Sequence, residues 1–127
     1  MHELFHASRA RFQEVASEFQ LSPPQVRALG VLKPGRPVPM SELAEALHCD
    51  NSNVTGIVDR LEDRGLVERR SATHDRRVKM LVVTERGAEL QTRLAARLAE
   101  APPPLARLSA DDQEALRDIM RRALERD

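Results

Sequence analysis

Residues 41–64 of the 127-residue chain read SELAEALHCDNSNVTGIVDRLEDR, and this stretch decides the fold. Its second half predicts an amphipathic helix over residues 51–64, because apolar side chains recur there at intervals of three and four. Asp50 is suited to cap the start of this helix, and Gly65 is suited to end it. The inward-facing side chains are those of Val54, Ile57, Val58 and Leu61.

A shorter helix is predicted over residues 41–47, with Ser41 as its N-cap. Only His48, Cys49 and Asp50 separate it from the longer helix. Two short helices joined by a turn of about three residues have the dimensions of a helix-turn-helix, whose second helix enters the major groove of DNA.

The outward face of the longer helix carries side chains that can hydrogen-bond to base edges, namely Asn51, Ser52, Asn53, Thr55 and Arg60. Gly56 lies on the same face, where glycine costs roughly 1 kcal/mol relative to alanine. We interpret this glycine as allowing a close approach to the bases. Asp59 and Asp63 favour the alternative of an ordinary solvated face, because carboxylates repel phosphates; otherwise they hold Arg60 or Arg64 in position or lie beyond the groove.

A β-hairpin is predicted after this helix, since residues 66–70 and 78–83 are β-prone and a polar stretch separates them. Such a wing reaches the minor groove, which attracts inserted arginines. Asp75 would orient a neighbouring guanidinium. A solvated hairpin tip would explain the polarity but not five basic residues against one acid between residues 69 and 79, the basic ones being Arg69, Arg70, Arg76, Arg77 and Lys79.

Further helices flank this region. A helix is predicted over residues 4–19, where apolar side chains form one stripe. This stripe contains all three phenylalanines, Phe5, Phe12 and Phe19, which either line an effector pocket or pack in the core or in a dimer interface. A helix after the cap Ser22 ends before Pro34-Gly35, and residues 36–40 form a loop or a short edge strand. Two last helices, from residue 85 to about 101 and from about 110 onward, are separated by the prolines 102–104. The expected order is four helices, a hairpin and two helices.

Composition limits the classes of function. The formal net charge is zero, so the support that charge gives to nucleic-acid binding comes only from the basic hairpin; 18 of the 20 basic residues are arginine. Apolar runs fall short of the roughly 18 residues of a membrane helix, and the first residues do not fit a signal peptide. We therefore expect a cytoplasmic protein with no membrane partner.

Enzymatic and metal functions receive little support. The chain has neither a glycine-rich phosphate loop nor a plausible nucleophile constellation, so we expect no enzyme and no cofactor. His2 and His6 are spaced four apart, but no carboxylate or thiol cluster completes a metal site. The single cysteine, Cys49, precedes a helix N-terminus where a thiolate could be stabilised, which leaves a redox switch open. A buried, inert thiol is the interpretation that we favour.

Several linked motifs resemble the MarR family of bacterial transcriptional regulators. They are SELAEAL at 41–47, DNSNVTGIVDRLE at 50–62, GLVER at 65–69, DRR at 75–77 and LVVTERG at 81–87. The resemblance implies a mainly α fold with a small β-hairpin wing, in which a winged helix-turn-helix core at 22–84 lies between dimerisation helices at 1–21 and 85–127. It also implies a wing arginine within Asp75-Arg76-Arg77. The N-terminal helix is short for the family, and residues 71–74 lack the acidic and proline residues often found at the wing tip.

The resemblance and the residues together predict a sequence-specific double-stranded-DNA-binding regulator. We expect a single domain that acts as a homodimer on a palindromic operator, as a ligand- or stress-responsive repressor with a small-molecule effector. A winged-helix protein–protein interaction module is the alternative. The residues expected at DNA are Ser41, Asn51, Ser52, Asn53, Thr55, Gly56, Arg60, Arg69, Arg70, Asp75, Arg76, Arg77 and Lys79.

Overall fold

The computed structural model describes residues 2–101 and 103–125, apart from the side chains of Asn51 and Pro103. Within these residues the chain forms seven helices and three strands. In chain order they are α1 (His2–Glu18), α2 (Pro23–Val31), β1 (Val38–Pro39), α3 (Met40–Leu47), α4 (Asn51–Asp63), β2 (Val67–Ser71), β3 (Lys79–Val83), α5 (Glu85–Ala99), α6 (Pro103–Ala106) and α7 (Ala110–Leu124).

The helix-turn-helix follows from local signals, as predicted. An Asp50 carboxylate oxygen accepts hydrogen bonds from the Asn53 N–H and the Ser52 hydroxyl, both at 2.9 Å, and so caps α4. Gly65 ends the helix with a φ of 72°, a left-handed conformation that glycine adopts without steric cost. The turn between α3 and α4 has His48 in the same left-handed region. The inner face of α4 is buried through Val54, Val58 and Leu61, with Ile57 at the edge of the core.

The strands form one antiparallel sheet in the order β1-β3-β2. β2 and β3 are the predicted hairpin, with Arg69 opposite Leu81. Residues 38–39 pair with the other side of β3, so the short edge strand is confirmed. Leu81 is fully buried, and it packs in the same core as Leu61 of α4 and Leu43 of α3.

α5 packs closely against the start of the hairpin. Thr84 caps this helix: its hydroxyl accepts a hydrogen bond from the Gly87 N–H at 3.0 Å and donates one to the Gly65 carbonyl at 2.6 Å. A Cβ atom on Gly87 would lie 2.1 Å from the Leu66 carbonyl oxygen, so only glycine fits there. One turn later the Gln91 amide donates to the carbonyls at the end of α2, which would otherwise lack helical partners.

One prediction about a helix boundary is wrong, and so is the expected order of four helices, a hairpin and two helices. Ser41 does not cap α3, which begins at Met40; Pro39 holds the N-cap position without a side-chain hydrogen bond. The reason is that the chain passes directly from β1, where Pro39 is paired with Met80, into the helix. The proline-rich segment also contains the short helix α6, since proline is well suited to the first turn of a helix. Pro102, in the same segment, lies outside the described residues.

The terminal helices leave much apolar surface exposed. Only the second half of the α1 stripe is covered: Val15 and Ala16 are buried, but Phe5 is 63% exposed. None of the described residues of α7 is buried. Its side chains Ile119, Met120 and Leu124 are 54%, 50% and 77% exposed. Across residues 2–101 and 103–125, no helix has both the length and the apolar character needed to cross a bilayer.

Candidate DNA-binding surface

The helix-turn-helix and the wing, here defined as β2, β3 and the residues between them, form one concave surface. It encloses a groove of about 640 Å³ between α3, α4 and the wing. The predicted residues that the structure brings together in its lining are Ser41, Thr55, Arg69, Arg77 and Lys79. Asp59 and the apolar residues Pro39, Met40, Val54 and Val78 complete the lining.

The outward face of α4 is exposed at each described position that was predicted to read DNA. Ser52, Asn53, Thr55, Gly56 and Arg60 are all exposed, whereas the side chain of Asn51 lies outside the described part of the chain. The hydrogen bonds from the Asn53 N–H and the Ser52 hydroxyl lower the pKa of Asp50. Ser52 therefore supports the cap of α4, whereas Asn53, Thr55 and Arg60 share its exposed face.

Gly56 has no packing role inside the protein. A Cβ atom at this position would have no neighbour within 4 Å, and the residue lies on the exposed face of α4. The contrast with Gly87, where a Cβ atom would collide with the backbone, indicates that folding does not require a glycine at residue 56.

The wing presents arginines held by acidic neighbours. The Asp75 carboxylate accepts hydrogen bonds from the Arg77 backbone N–H at 2.9 Å and from its Nε at 3.3 Å, which is the orienting contact predicted for Asp75. The Arg77 side chain is 92% exposed. Arg76 is exposed beside it. Arg70 pairs with Glu68 at 2.8 Å, and Lys79 donates to the Ser71 hydroxyl at 3.2 Å.

The acidic residues of α4 have different partners from those predicted. Asp59 pairs with Arg69 of the wing, through an Oδ1–Nη2 distance of 2.5 Å, and not with Arg60 or Arg64. Glu62 pairs with the same guanidinium at 2.8 Å. Burial lowers the pKa of Arg69, but the hydrogen bond and charge of Asp59, together with Glu62, outweigh it and raise the pKa. Sequence spacing could not reveal this contact, because it depends on how β2 lies against α4.

The phenylalanines are divided between core and surface. Phe12 and Phe19 pack against the buried core, with the Arg93 guanidinium 5.4 Å from the centre of the Phe19 ring, while Phe5 is exposed. A cavity of about 310 Å³ lies between α1, α5, α6 and α7. Its lining, as far as the described residues go, includes Leu4 and Ser8 of α1 but none of the phenylalanines.

The remaining candidate side chains form no larger cluster. Cys49 is half-buried, and its thiol donates to the Leu47 carbonyl at 3.4 Å. The Nε2 atoms of His2 and His6 lie 3.1 Å apart on the exposed side of α1. In the described part of the chain, no three His, Cys, Asp or Glu side chains are grouped as they would be around a metal ion.

A helix-turn-helix of this geometry, followed by a basic two-stranded wing, defines a winged helix-turn-helix protein. Comparison with known proteins supports this assignment. Residues 21–79 match the model of the MarR family. The transcriptional repressor MprA of Escherichia coli K12 is 37% identical over 94 residues, which are 68% of this chain and 49% of MprA. Residues 21–79 of this chain thus form a MarR-family segment.

Solved structures show the same fold. YusO from Bacillus subtilis superimposes with a TM-score of 0.77 at 27% identity, covering 96% of this chain and 87% of YusO. A Staphylococcus aureus MepR mutant bound to an oligodeoxyribonucleotide gives a TM-score of 0.75 at 20% identity, covering 97% of this chain and 91% of that chain. The chain spans about half the length of the curated relative MprA. MprA is named a repressor, in agreement with the expectation that this chain is not an enzyme.

Proposed function

We propose that this protein is a transcriptional regulator that binds double-stranded DNA in a sequence-specific manner. The observation that carries the proposal is the single groove in which Thr55 of the exposed α4 face and Arg77 of the wing meet. In this arrangement α4 enters the major groove, and the wing arginines Arg76 and Arg77 reach the adjacent minor groove. Two similar proteins also support the proposal: MprA is named a transcriptional repressor, and a MepR mutant was solved bound to an oligodeoxyribonucleotide.

The second part of the proposal is that two copies bind together as a repressor. The core at residues 22–84 would meet DNA, and the segments 1–21 and 85–127 would form the dimer. Exposed apolar residues on α1, α5 and α7 support this, because Phe5 and Leu124 are more than half exposed in one protomer and Leu98 is 39% exposed. A two-fold dimer then reads a palindromic operator with half-sites about one helical turn apart.

Response to a ligand is the third part. The cavity between α1, α5, α6 and α7, of about 310 Å³, is at the lower limit of the size expected for a small-molecule site. Leu4, Leu105, Leu116 and Met120 make its wall largely apolar. We propose a small, mainly apolar effector there. Thermal-shift screening of the full chain against small apolar compounds tests it: stabilisation by a ligand that a Leu116→Phe substitution abolishes supports the site, and no stabilisation contradicts it.

The test of DNA binding is a selection from random duplexes, followed by fluorescence anisotropy on the selected sequence. Affinity should fall steeply between about 50 and 200 mM salt, because phosphate contacts release counterions. Arg77→Ala should weaken binding and flatten the salt dependence, with a change in log–log slope of about 1 if the residue contacts a phosphate. Arg107→Ala, an exposed arginine between α6 and α7, is the control and should bind as the wild type does.

Two results would contradict the proposal. Absence of an enriched sequence would exclude specific recognition. A slope near zero for the wild type would favour the alternative of a winged-helix protein–protein module, since such a module has no phosphates to neutralise.

A further inference from the structure

Arg69 has a different environment from the other wing arginines. Its side chain is only 23% exposed, whereas that of Arg77 is 92% exposed. Its guanidinium contacts Asp59 and Glu62, and its Nη2 lies 3.4 Å from the Thr55 carbonyl oxygen. The Glu62 carboxylate also accepts a hydrogen bond from the backbone N–H of Arg69 at 3.2 Å.

These contacts follow one ridge of α4. Residues 55, 59 and 62 are spaced by four and three, so they lie above one another on successive turns of a helix. Arg69 is in the middle of β2, opposite Leu81 of β3. One side chain therefore holds the wing against two turns of the helix that carries the DNA-facing residues, and the planar fork of arginine suits this bridging role better than lysine would.

The same contacts affect the charge of the groove. Asp59 lines the groove together with Arg69, Arg77 and Lys79, and its side chain is 54% exposed. A bare carboxylate at this position would repel the phosphates of a bound duplex. The paired guanidinium offsets that charge within the groove lining, where only 23% of the Arg69 side chain is exposed.

We propose that Arg69 is a positioning residue for DNA recognition, which fixes the wing against α4 and neutralises Asp59, and that it makes no DNA contact of its own. This inference rests on the proposed DNA binding and changes the role that the sequence suggested for Arg69. Arg76 and Arg77 remain the wing residues expected at DNA.

A double-mutant cycle of Arg69→Gln and Asp59→Asn tests this role, with affinity for the selected duplex as the readout. Arg69→Gln should weaken binding about tenfold, because it frees both carboxylates. Asp59→Asn should not raise the affinity in the wild-type background, because there it removes one of the two carboxylates that hold Arg69. In the Arg69→Gln background it should raise affinity severalfold, because it removes an unpaired charge.

Direct DNA contact by Arg69 predicts a different pattern. Asp59→Asn would then improve binding by the same factor in both backgrounds, and that result would overturn the inference. Arg69→Lys gives an independent measurement if the glutamine variant melts early by circular dichroism. Lysine keeps the charge and a phosphate contact, so near wild-type affinity contradicts the positioning role, whereas a loss close to that of glutamine supports it.

The two levels of the proposal can fail separately. If the wild type shows no salt-dependent binding to any duplex, the proposed function is wrong. If the wild type binds and the cycle is additive, only the role of Arg69 is wrong.

Discussion

The guanidinium of Arg64 donates a hydrogen bond of 2.9 Å to the backbone carbonyl of Gln20, which follows the end of α1. A second bond, of 3.1 Å, reaches the Phe19 carbonyl. Arg64 is itself the C-cap residue of α4. The residues that follow α1 are thus joined to the end of α4, and their backbone carbonyls receive donors that they would otherwise take from water.

Arg64→Ala should therefore destabilise the fold. Two charge-assisted bonds to backbone carbonyls are lost, so the free energy of unfolding should fall by about 1.5–3 kcal/mol. Urea denaturation at a fixed protein concentration measures this change. An unfolding midpoint equal to that of the wild type would contradict the assigned contact.

Arg60→Ala is the counterpart of that substitution, one turn earlier on α4. Arg60 is exposed, so the unfolding free energy should change by no more than about 0.5 kcal/mol. Binding to the selected duplex should weaken by about 1–3 kcal/mol, with relaxed preference at one base position. Anisotropy titrations on single-base variants of the duplex measure both effects, and unchanged discrimination would remove Arg60 from the base-reading set.

The glycines of α4 and α5 should respond in opposite directions to alanine. Gly56→Ala should raise the free energy of unfolding by about 1 kcal/mol, because the methyl group meets open space and alanine favours the helix. It should also lower DNA affinity, because the methyl group projects from the face that approaches the bases. Retained affinity in a stabilised variant would exclude the close-approach role of Gly56.

Gly87→Ala should destabilise the fold by about 1–3 kcal/mol or more, as overpacking does, because the added Cβ would lie 2.1 Å from the Leu66 carbonyl oxygen. Thermal melting of the two glycine variants in parallel gives the comparison. A Gly87→Ala variant as stable as the wild type would mean that α5 can move away from β2 without cost.

Leu124 should be important only for assembly. It is 77% exposed in one protomer, so Leu124→Lys should leave the folded protomer intact. If α7 is buried in a two-fold interface, each lost leucine costs about 1.5–3 kcal/mol and occurs twice, so the Kd for dimerisation should rise by two orders of magnitude or more. Sedimentation equilibrium measures it, with Glu114→Gln on the same helix as control. An unchanged Kd would place the interface elsewhere.

The contact between Glu18 and Arg97 should make stability depend on pH. Arg97 donates to both carboxylate oxygens of Glu18, at 2.6 and 2.8 Å, and this hydrogen bonding lowers the pKa of Glu18 from its ordinary value of 4.5. Because the folded-state pKa is depressed, the stabilisation is complete above pH 4.5 and is lost as the pH falls through the lowered value.

Glu18→Gln should accordingly have a lower urea midpoint than the wild type near pH 7, and the difference should be smaller near pH 3, because the stabilisation is lost as the pH falls through the lowered pKa. Glu89→Gln, at an exposed position on α5, is the matched control and should follow the wild type at both pH values. A constant difference between Glu18→Gln and the wild type over this range would contradict the assignment.

Sequence reasoning succeeded where the signal was local. The cap at Asp50, the stop at Gly65 and the buried face of α4 each depend on residues within a turn or two of one another. The orienting contact between Asp75 and Arg77 is of the same kind. Such signals were sufficient to predict a helix-turn-helix followed by a hairpin.

The features that sequence reasoning missed depend on tertiary placement. Arg69 and Asp59 are ten residues apart and belong to different elements, while Arg64 and Gln20 are separated by 44 residues. Spacing along the sequence relates a residue only to its near neighbours, so it could not predict either contact. The failed cap at Ser41 has a similar cause, because pairing between Pro39 and Met80 determines where α3 begins.

The protection of both sheet edges limits how copies of this chain can associate. At β1 the prolines Pro37 and Pro39 have no N–H to offer to an added strand. At β2 the outward N–H of Arg69 is already bound by Glu62, and α4 covers that side. Edge-to-edge strand pairing, a common route to aggregation, is thereby blocked at these positions. The surfaces left for association between copies are therefore helical ones, and the wing can remain exposed without adding a strand from a second copy.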